Sequence, residues 1–269
     1  MISWRSRRRI GTPSLAERIE VVAIPGLGEI VPDDDLPVLI AEALAAAPDV
    51  APLRDDDALV VTQKIVSKAE GAIVDLATVE PSPVAQEFAR RYDRDPRQVE
   101  VVLREAKRVV RMANGVIITE THHGFVCANG GIDASNVGPS SGSVVTLLPR
   151  DPDASAERIR AAIHERLGHD LPVVVSDSFG RPWRLGIVDV AIGVSGLLPL
   201  DDLRGEPDAD GRIMHSTVRA VADELASAAE LVLGKTAGRP MALIRGATFR
   251  RGEGRIADAL LPAEMDLFR

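Results

Sequence analysis

Two patterns of apolar and polar positions alternate along the chain. Short runs rich in branched residues recur at 21–24, 59–62, 116–118, 144–148, 173–175, 187–194 and 242–244, each bounded by Gly, Pro, Asp or Asn. Runs of this length and composition predict strands. Between some of them, apolar residues return every three or four positions over 36–46, 84–92, 96–109, 156–167 and 217–233, which predicts helices. Several carry Asp or Ser just ahead and Gly just behind, the usual start and stop signals. In the last of these, Val218, Val221, Leu225 and Val232 form the expected core stripe, and Arg219 and Asp223 an i, i+4 pair on the exposed face. Several strand candidates follow one another without an intervening helix, which disfavours a doubly wound parallel sheet. The predicted class is α/β of the α+β kind, with mixed, largely antiparallel sheets and flanking helices.

Composition narrows the partners. The net charge is −8 and aromatics are only 3% of 269 residues, so neither phosphate neutralisation nor base stacking on aromatic platforms is supported. No nucleic-acid partner is expected. The basic run Arg5 to Arg9 reads as a solvated tail, and no apolar h-region follows it as in a secretory signal. No apolar run approaches the ~20 residues of a membrane helix. A single cysteine excludes an internal disulfide and a thiolate-built zinc site within one chain. A cytoplasmic protein without a membrane partner is the expectation. The organisation read from the chain is a basic tail over 1–19, one domain or two intimately packed lobes over 20–249 with a possible seam near 150–153, and a C-terminal tail over 250–269. The stretch 200–212 reads as a long loop, and such loops are commonly functional or mobile.

Four stretches carry candidate chemistry. In "CANGGIDASN" (127–136) glycines let backbone N–H groups approach a ligand, while Asp133, Ser135 and Asn136 supply hard oxygens suited to Mg²⁺ or Mn²⁺. An Asx-turn accounts for Asp133 and Asn136 equally well. Cys127, between Val126 and Ala128, reads as a small core residue rather than a nucleophile. In "PVVVSDSFGRPWRLG" (172–186) an apolar strand delivers Ser176, Asp177 and Ser178 at its carboxyl end, then Arg181 and Arg184 for an anionic group, with Trp183 as a packing anchor. In "VVTQKIVSKAEG" (60–71) a strand runs into Gln63, Lys64, Ser67 and Lys68; a lysine there meets a phosphate or lies in water. "IPGLGEI" (24–30) offers a Pro-Gly turn whose backbone either approaches a ligand or simply turns. His122 and His123, adjacent on an extended segment, point to opposite faces and cannot share a metal. His215 reads as a surface histidine. No Walker A sequence, dinucleotide fingerprint or H-E-x-x-H is present.

Taken in order, "VTQKIVSKAEG", "THHGFVCANGGIDASNVG", "VVVSDSFGRPWRLGIVDVAIGVSGLLPL" and "TVRAVADELASAAELVLGK" resemble the coenzyme F420:L-glutamate ligase family, also called F420-0:γ-glutamyl ligase. The resemblance covers roughly 21–249, and the combination is far more specific than any one motif. It implies the family's own ligase fold, an interwoven homodimer, and use of GTP to join L-glutamate to the lactyl-phosphate side chain of the deazaflavin coenzyme F420-0, with further γ-linked glutamates in some members. It implies Asp133 and Asp177 as metal ligands with catalytic roles, and Ser178 beside them where relatives have threonine. The metal would be Mg²⁺ or Mn²⁺, with K⁺ a further candidate. GTP would meet Leu27, Gly28, Glu29, Ile30, Gln63, Lys68 and Asn136, and acidic or amide residues over 206–210 would complete the metal shell. Arg181 is assigned to a substrate phosphate or carboxylate from its place after the metal strand, with Arg184 a second candidate. Two departures stand out: His122 where the family pattern has arginine, and Gly131 where alanine is common, the latter read as mild. The ligase alone is expected, without the flavin-reductase-like extension of some actinobacterial relatives. Two other readings compete: a binder of nucleotide or deazaflavin without catalysis, and a γ-glutamyl ligase with a different acceptor.

Overall fold

The computed structural model describes residues 18–134 and 142–267. The basic run at 5–9, Ser135 and Asn136 lie outside the described residues. In chain order the elements are β1 (Glu20–Ala23), α1 (Leu36–Ala46), β2 (Ala58–Thr62), α2 (Gln63–Ala69), β3 (Ile73–Asp75), α3 (Pro83–Tyr92), α4 (Pro96–Glu105), β4 (Ala106–Ala113), β5 (Val116–Thr121) and β6 (Val126–Ala128). There follow β7 (Val144–Thr146), α5 (Pro152–Leu167), β8 (Val173–Arg181), β9 (Arg184–Ser195), β10 (Asp201–Asp202), β11 (Val218–Arg219), α6 (Val221–Leu233) and β12 (Met241–Arg245).

The main sheet has the order β1-β12-β2-β8-β9, and only β2 and β8 run parallel. Consecutive residues Leu59, Val60 and Val61 of β2 and Val173, Val174 and Val175 of β8 are all fully buried, so both faces of the central strands are covered. Helix α5 packs on β8, β9 and α1, while α6 lies against β9, β12 and β1. Gly193 lets α5 come close: a Cβ there would lie 2.5 Å from the Pro152 backbone, well inside contact distance. A buried ion pair ties the sheet to the chain before it, Arg245 Nη2 reaching Asp57 Oδ2 at 2.7 Å. Removing either partner would leave a buried charge uncompensated.

A smaller lobe is built from the three-stranded sheet β4-β5-β6, the two-stranded sheet β3-β7 and helices α3 and α4. Its apolar contacts form two groups, Ala85, Phe88, Ala89, Val99, Val102 and Ile117 in one, and Leu76, Val79, Val101 and Val145 in the other, with Ile132 packed against both. The mixed, largely antiparallel class expected from the pattern is what forms.

Several local expectations need correction. The helix predicted over 96–109 ends at Glu105, and Val109 sits in β4. Asn114 and Gly115, both with positive φ (53° and 75°), make the tight turn that folds β4 back on β5, and the ladder outcompetes helix there. The last long helix starts at Val221 rather than Thr217, because Val218 and Arg219 pair with Asp202 and Asp201 as β11. Val218 is therefore exposed instead of core, and Arg219 pairs with Glu224 while Asp223 accepts from the Ala191 amide at 2.9 Å. Trp183, at the β8–β9 hairpin tip with φ 56°, is 80% exposed and is no core anchor. The stretch 200–212 carries β10 and a Pro207–Ile213 bridge. Near 150–153 the chain caps a helix, Asp151 accepting from the Ala154 amide at 3.0 Å. Among the described residues no helix is long and apolar enough to cross a membrane.

Candidate active site

Strand β8 does not stop at Asp177. It continues to Arg181 and pairs with β9, so Asp177 opposes Val190 and Ser178 opposes Asp189 within the hairpin. On the neighbouring strand, β2 ends at Thr62 and turns at once into α2, whose Lys64 and Lys68 are four residues apart and share a helix face. The smaller lobe contributes Asp133, fixed by reciprocal backbone bonds with Thr146 (3.1 and 2.8 Å). These segments enclose a cavity of about 770 Å³, of a size for a nucleotide-scale ligand.

Most of the residues singled out in the sequence line this cavity: Leu27, Gly28, Glu29, Ile30, Gln63, Lys68, Asp133, Asp177 and Ser178. Asn136 lies outside the described residues. Arg181 and Arg184 stand apart from the lining, because the strand carries them on to the exposed hairpin tip, where Arg181 donates to the Leu185 carbonyl at 3.1 Å. The 206–210 segment is also outside the lining; Glu206 binds Arg250 at 2.6 Å, and Asp208 accepts from the Asp210 and Arg212 amides. His122 is exposed, whereas His123 turns inward to place Nε2 2.9 Å from the Pro149 carbonyl oxygen, so the two rings do face apart. His215 is exposed as expected.

The charges inside are ordered in pairs. Lys68 Nζ meets Glu29 at 2.6 Å, and Lys64 Nζ meets Asp133 at 2.8 Å. Lys235, just past the end of α6, bridges Asp189 at 3.0 Å and Glu230 at 2.8 Å, and also donates to the Ser178 hydroxyl. Burial works against that ammonium, but its hydrogen bonds to Glu230 and Asp189 outweigh it and hold the group charged. Asp189 in turn accepts from Ser178 at 2.6 Å and Ser176 at 3.2 Å, and its backbone amide donates to Glu230 at 2.9 Å. Gln63 is committed to structure through Nε2, which donates to Ser67 and to the Leu147 carbonyl, both at 2.9 Å.

Asp177 differs from its neighbours. Enclosure by protein raises its pKa to about 7, and the charges of Asp133 and Asp189 push the same way, against a Ser178 amide and Lys64 that pull it down. Burial, followed by the charge of Asp177, also pushes the Cys127 thiol up to about 12, which fits a core cysteine. Two facing carboxylates, one of them reluctant to ionise without a cation, with a hydroxyl beside them, form a hard oxygen donor set that suits Mg²⁺ or Mn²⁺. Among the described residues no three His, Cys, Asp or Glu side chains make a metal cage by themselves.

Asp189, Glu230 and Lys235 went unassigned in the sequence, although a signal was present. Asp189 interrupts the apolar run "IVDVAIGV" and Glu230 sits among apolar residues of α6; charges in such places need partners. Gly131 also changes its reading. Its φ is 70° and an added Cβ would fall 2.8 Å from Leu148, so alanine is not mild in this chain. Gly131→Ala is expected to cost roughly 1–3 kcal/mol through left-handed strain and overpacking, read as a lowered denaturant midpoint. An unchanged midpoint would mean that Leu148 moves aside freely.

Known proteins resemble this chain over most of its length. Residues 26–246 match the family model described as F420-0:Gamma-glutamyl ligase. The chain is 44% identical to the coenzyme F420:L-glutamate ligase of Methanothermobacter thermautotrophicus over 93% of this chain and 99% of that protein. It is 45% identical to that of Methanopyrus kandleri, over 96% and 99%. To that of Methanocaldococcus jannaschii it is likewise 45% identical, over 81% and 86%. The chain belongs to the F420-0:gamma-glutamyl ligase family.

Proposed function

We propose that this protein is a GTP-dependent ligase that joins L-glutamate to the lactyl-phosphate side chain of coenzyme F420-0, and that further glutamates follow by γ-linkage. The observation that carries the reading is the cavity itself. It combines a nucleotide-scale volume, the irregular segment Leu27 to Ile30, lysines at 64 and 68, and the carboxylates of Asp133 and Asp177, in a family whose relatives are named for glutamate ligation to F420.

The acceptor carboxylate and the glutamate amine do not condense at neutral pH unaided. Transfer of the γ-phosphoryl group of GTP to the carboxylate gives an acyl phosphate and GDP; the glutamate amine then attacks the acyl carbon, and phosphate leaves as the amide forms. Asp133, Asp177 and the Ser178 hydroxyl would hold Mg²⁺ or Mn²⁺. Such an ion supplies charge neutralisation at the transferring phosphoryl group. Lys68, with its Glu29 partner, is set beside the 27–30 segment to meet phosphate as a point charge. Lys64 holds the Asp133 carboxylate in place.

A homodimer is part of the same proposal, supported by the exposed apolar side chains of Trp183, Leu185 and Ile187 at the β8–β9 tip. The catalytic reading is tested by GDP release: it should require F420-0, L-glutamate and a divalent metal together, with GTP preferred over ATP. Binding of GTP with no glutamate-dependent GDP formation would overturn it.

A further inference from the structure

The stretch "THHGF" (121–125) joins β5 to β6 and lies outside the cavity lining, yet it is where the smaller lobe enters the main core. Phe125 is 5% exposed, and among the described residues between Val66 and Leu148 it is the one buried apolar side chain that packs in that core. The turn that delivers it is fixed at several points. The Thr121 amide donates to the Phe125 carbonyl at 2.8 Å, the Gly124 amide to the Thr121 carbonyl at 3.0 Å, and the Phe125 amide to the Thr121 hydroxyl at 3.1 Å. Gly124 has φ 95°, and a Cβ there would lie 2.9 Å from Leu260, so the C-terminal segment closes over the turn. His123 stacks on the Phe125 ring with centroids 5.5 Å apart.

From this seat Phe125 meets Phe179 of β8 edge to face, at 6.0 Å between centroids and 73° between planes. Side chains alternate across a strand, and the pairing of β8 with β9 is regular from Ser176 to Gly180, so Phe179 and Asp177 share a face. Opposite them, Phe125 and Cys127 also stand at i and i+2; β6 packs on β8, and Cys127 feels the charge of Asp177. Two contacts thus register the lobes: Phe125 on Phe179, and Cys127 beside Asp177. Asp133 follows in the same stretch of chain, across a turn in which Asn129, Gly130 and Gly131 all have positive φ (53°, 64° and 70°). A displacement of Phe125 along β8 is therefore passed on to Asp133.

We propose that Phe125 is a positioning residue for the carboxylate pair: seated on Phe179, it sets the spacing of Asp133 from Asp177. The inference rests on the ligase reading and on the metal-holding role given there to both carboxylates. Oxygens that hold a small divalent cation must lie at fixed distances from it, so an error on the order of 0.5 Å between the lobes weakens their grip. Ile30 and Val66, which flank the nucleotide-facing side, pack in the main core and do not depend on this contact. Metal affinity and nucleotide affinity should therefore separate.

The test titrates Mn²⁺, read by the loss of its free-ion EPR signal, into wild type, Phe125→Leu, Phe179→Leu, the double variant and Phe88→Leu, each with β,γ-methylene-GTP present. Steady-state kinetics at saturating Mn²⁺ give kcat and the KM for GTP. Phe88 is the control, a buried phenylalanine of the smaller lobe that packs on Tyr92 at 4.8 Å, away from the seam. Both seam variants are expected to raise the Kd for Mn²⁺ about tenfold and to lower kcat similarly, with the KM for GTP within about twofold of wild type. The double variant should be no worse than Phe125→Leu, since one contact is lost once. Phe88→Leu should keep the wild-type Mn²⁺ affinity. An equal loss in Phe88→Leu, or wild-type Mn²⁺ affinity in a folded Phe125→Leu, would overturn the proposal. If Phe125→Leu does not fold, the half-buried Phe179 decides: wild-type Mn²⁺ affinity in Phe179→Leu would overturn it. Glutamyl product from wild type together with unaltered Mn²⁺ binding in the seam variants would leave the ligase reading intact while this one fails. Neither Mn²⁺ binding nor glutamyl product in wild type would remove both.

Discussion

Asp177→Asn is expected to reduce metal-dependent ligation by a hundredfold or more and, at the same time, to raise the melting temperature of the metal-free protein at pH 8. The two effects have one cause. Burial, reinforced by Asp133 and Asp189, raises the Asp177 pKa from 3.8 to about 7. A carboxyl whose pKa rises on folding keeps its proton in the folded state after the unfolded chain has lost it. Its contribution to stability is therefore neutral below pH 3.8, falls as pH rises toward about 7, and stays unfavourable above that. The penalty at pH 8 is on the order of 4 kcal/mol at most. The neutral amide removes it, and a gain of a few kcal/mol corresponds to roughly 5–10 °C in a domain of this size. The same change removes a carboxylate from the metal position. Thermal melts in EDTA at pH 5 and pH 8 check the sign: the advantage of the variant should be larger at pH 8. Equal melting temperatures together with wild-type turnover would take Asp177 out of the metal site.

Lys68→Met is expected to raise the KM for GTP by roughly tenfold or more while leaving the fold intact, since it removes a phosphate-facing charge without creating a buried orphan. Its side chain is 8% exposed, whereas that of its partner Glu29 is 56% exposed and can be hydrated when the ammonium is lost. Methionine fills the stem's volume in the surrounding apolar packing. The KM for L-glutamate should change little. Steady-state kinetics with each substrate varied in turn reads both constants, and an unchanged KM for GTP would remove Lys68 from the nucleotide subsite.

What the sequence made legible follows the strength of its periodic signals. Helix α1 was predicted with the boundaries it has, because Leu36, Ile40 and Leu44 keep strict spacing and Asp35 caps the start. The short α2 escaped notice, since its seven residues follow β2 with no breaker; yet Lys64 and Lys68 at i, i+4 against Ile65, Val66 and Ala69 were the available sign. The Asn114-Gly115 pair, a strong hairpin marker, lay between segments that look helical and extended, and the local helical period won wrongly. The cavity's residue set was largely readable, but its geometry was not. Asp133 and Asp177 are brought together by packing of the smaller lobe on the main sheet, and the long pairing of β8 with β9 joins Ser178 to Asp189 and moves Arg181 away. The hairpin itself is local but turns at Pro182-Trp183, with no Asn-Gly marker, and packing between elements distant in the chain leaves no trace in local spacing. Glu230 and Lys235 joined the site for the same reason, through the placement of α6 and its end beside β9.

The most direct measurement is mass spectrometry of the deazaflavin products formed when the purified protein is incubated with GTP, Mn²⁺ or Mg²⁺, L-glutamate and F420-0, each component being omitted in turn. The account predicts products heavier than F420-0 by whole glutamyl units, formed only when all four are present, with GDP and phosphate released in equal number to the amide bonds made. Unaltered F420-0 in the complete mixture, despite bound GTP and a folded protein, would contradict it.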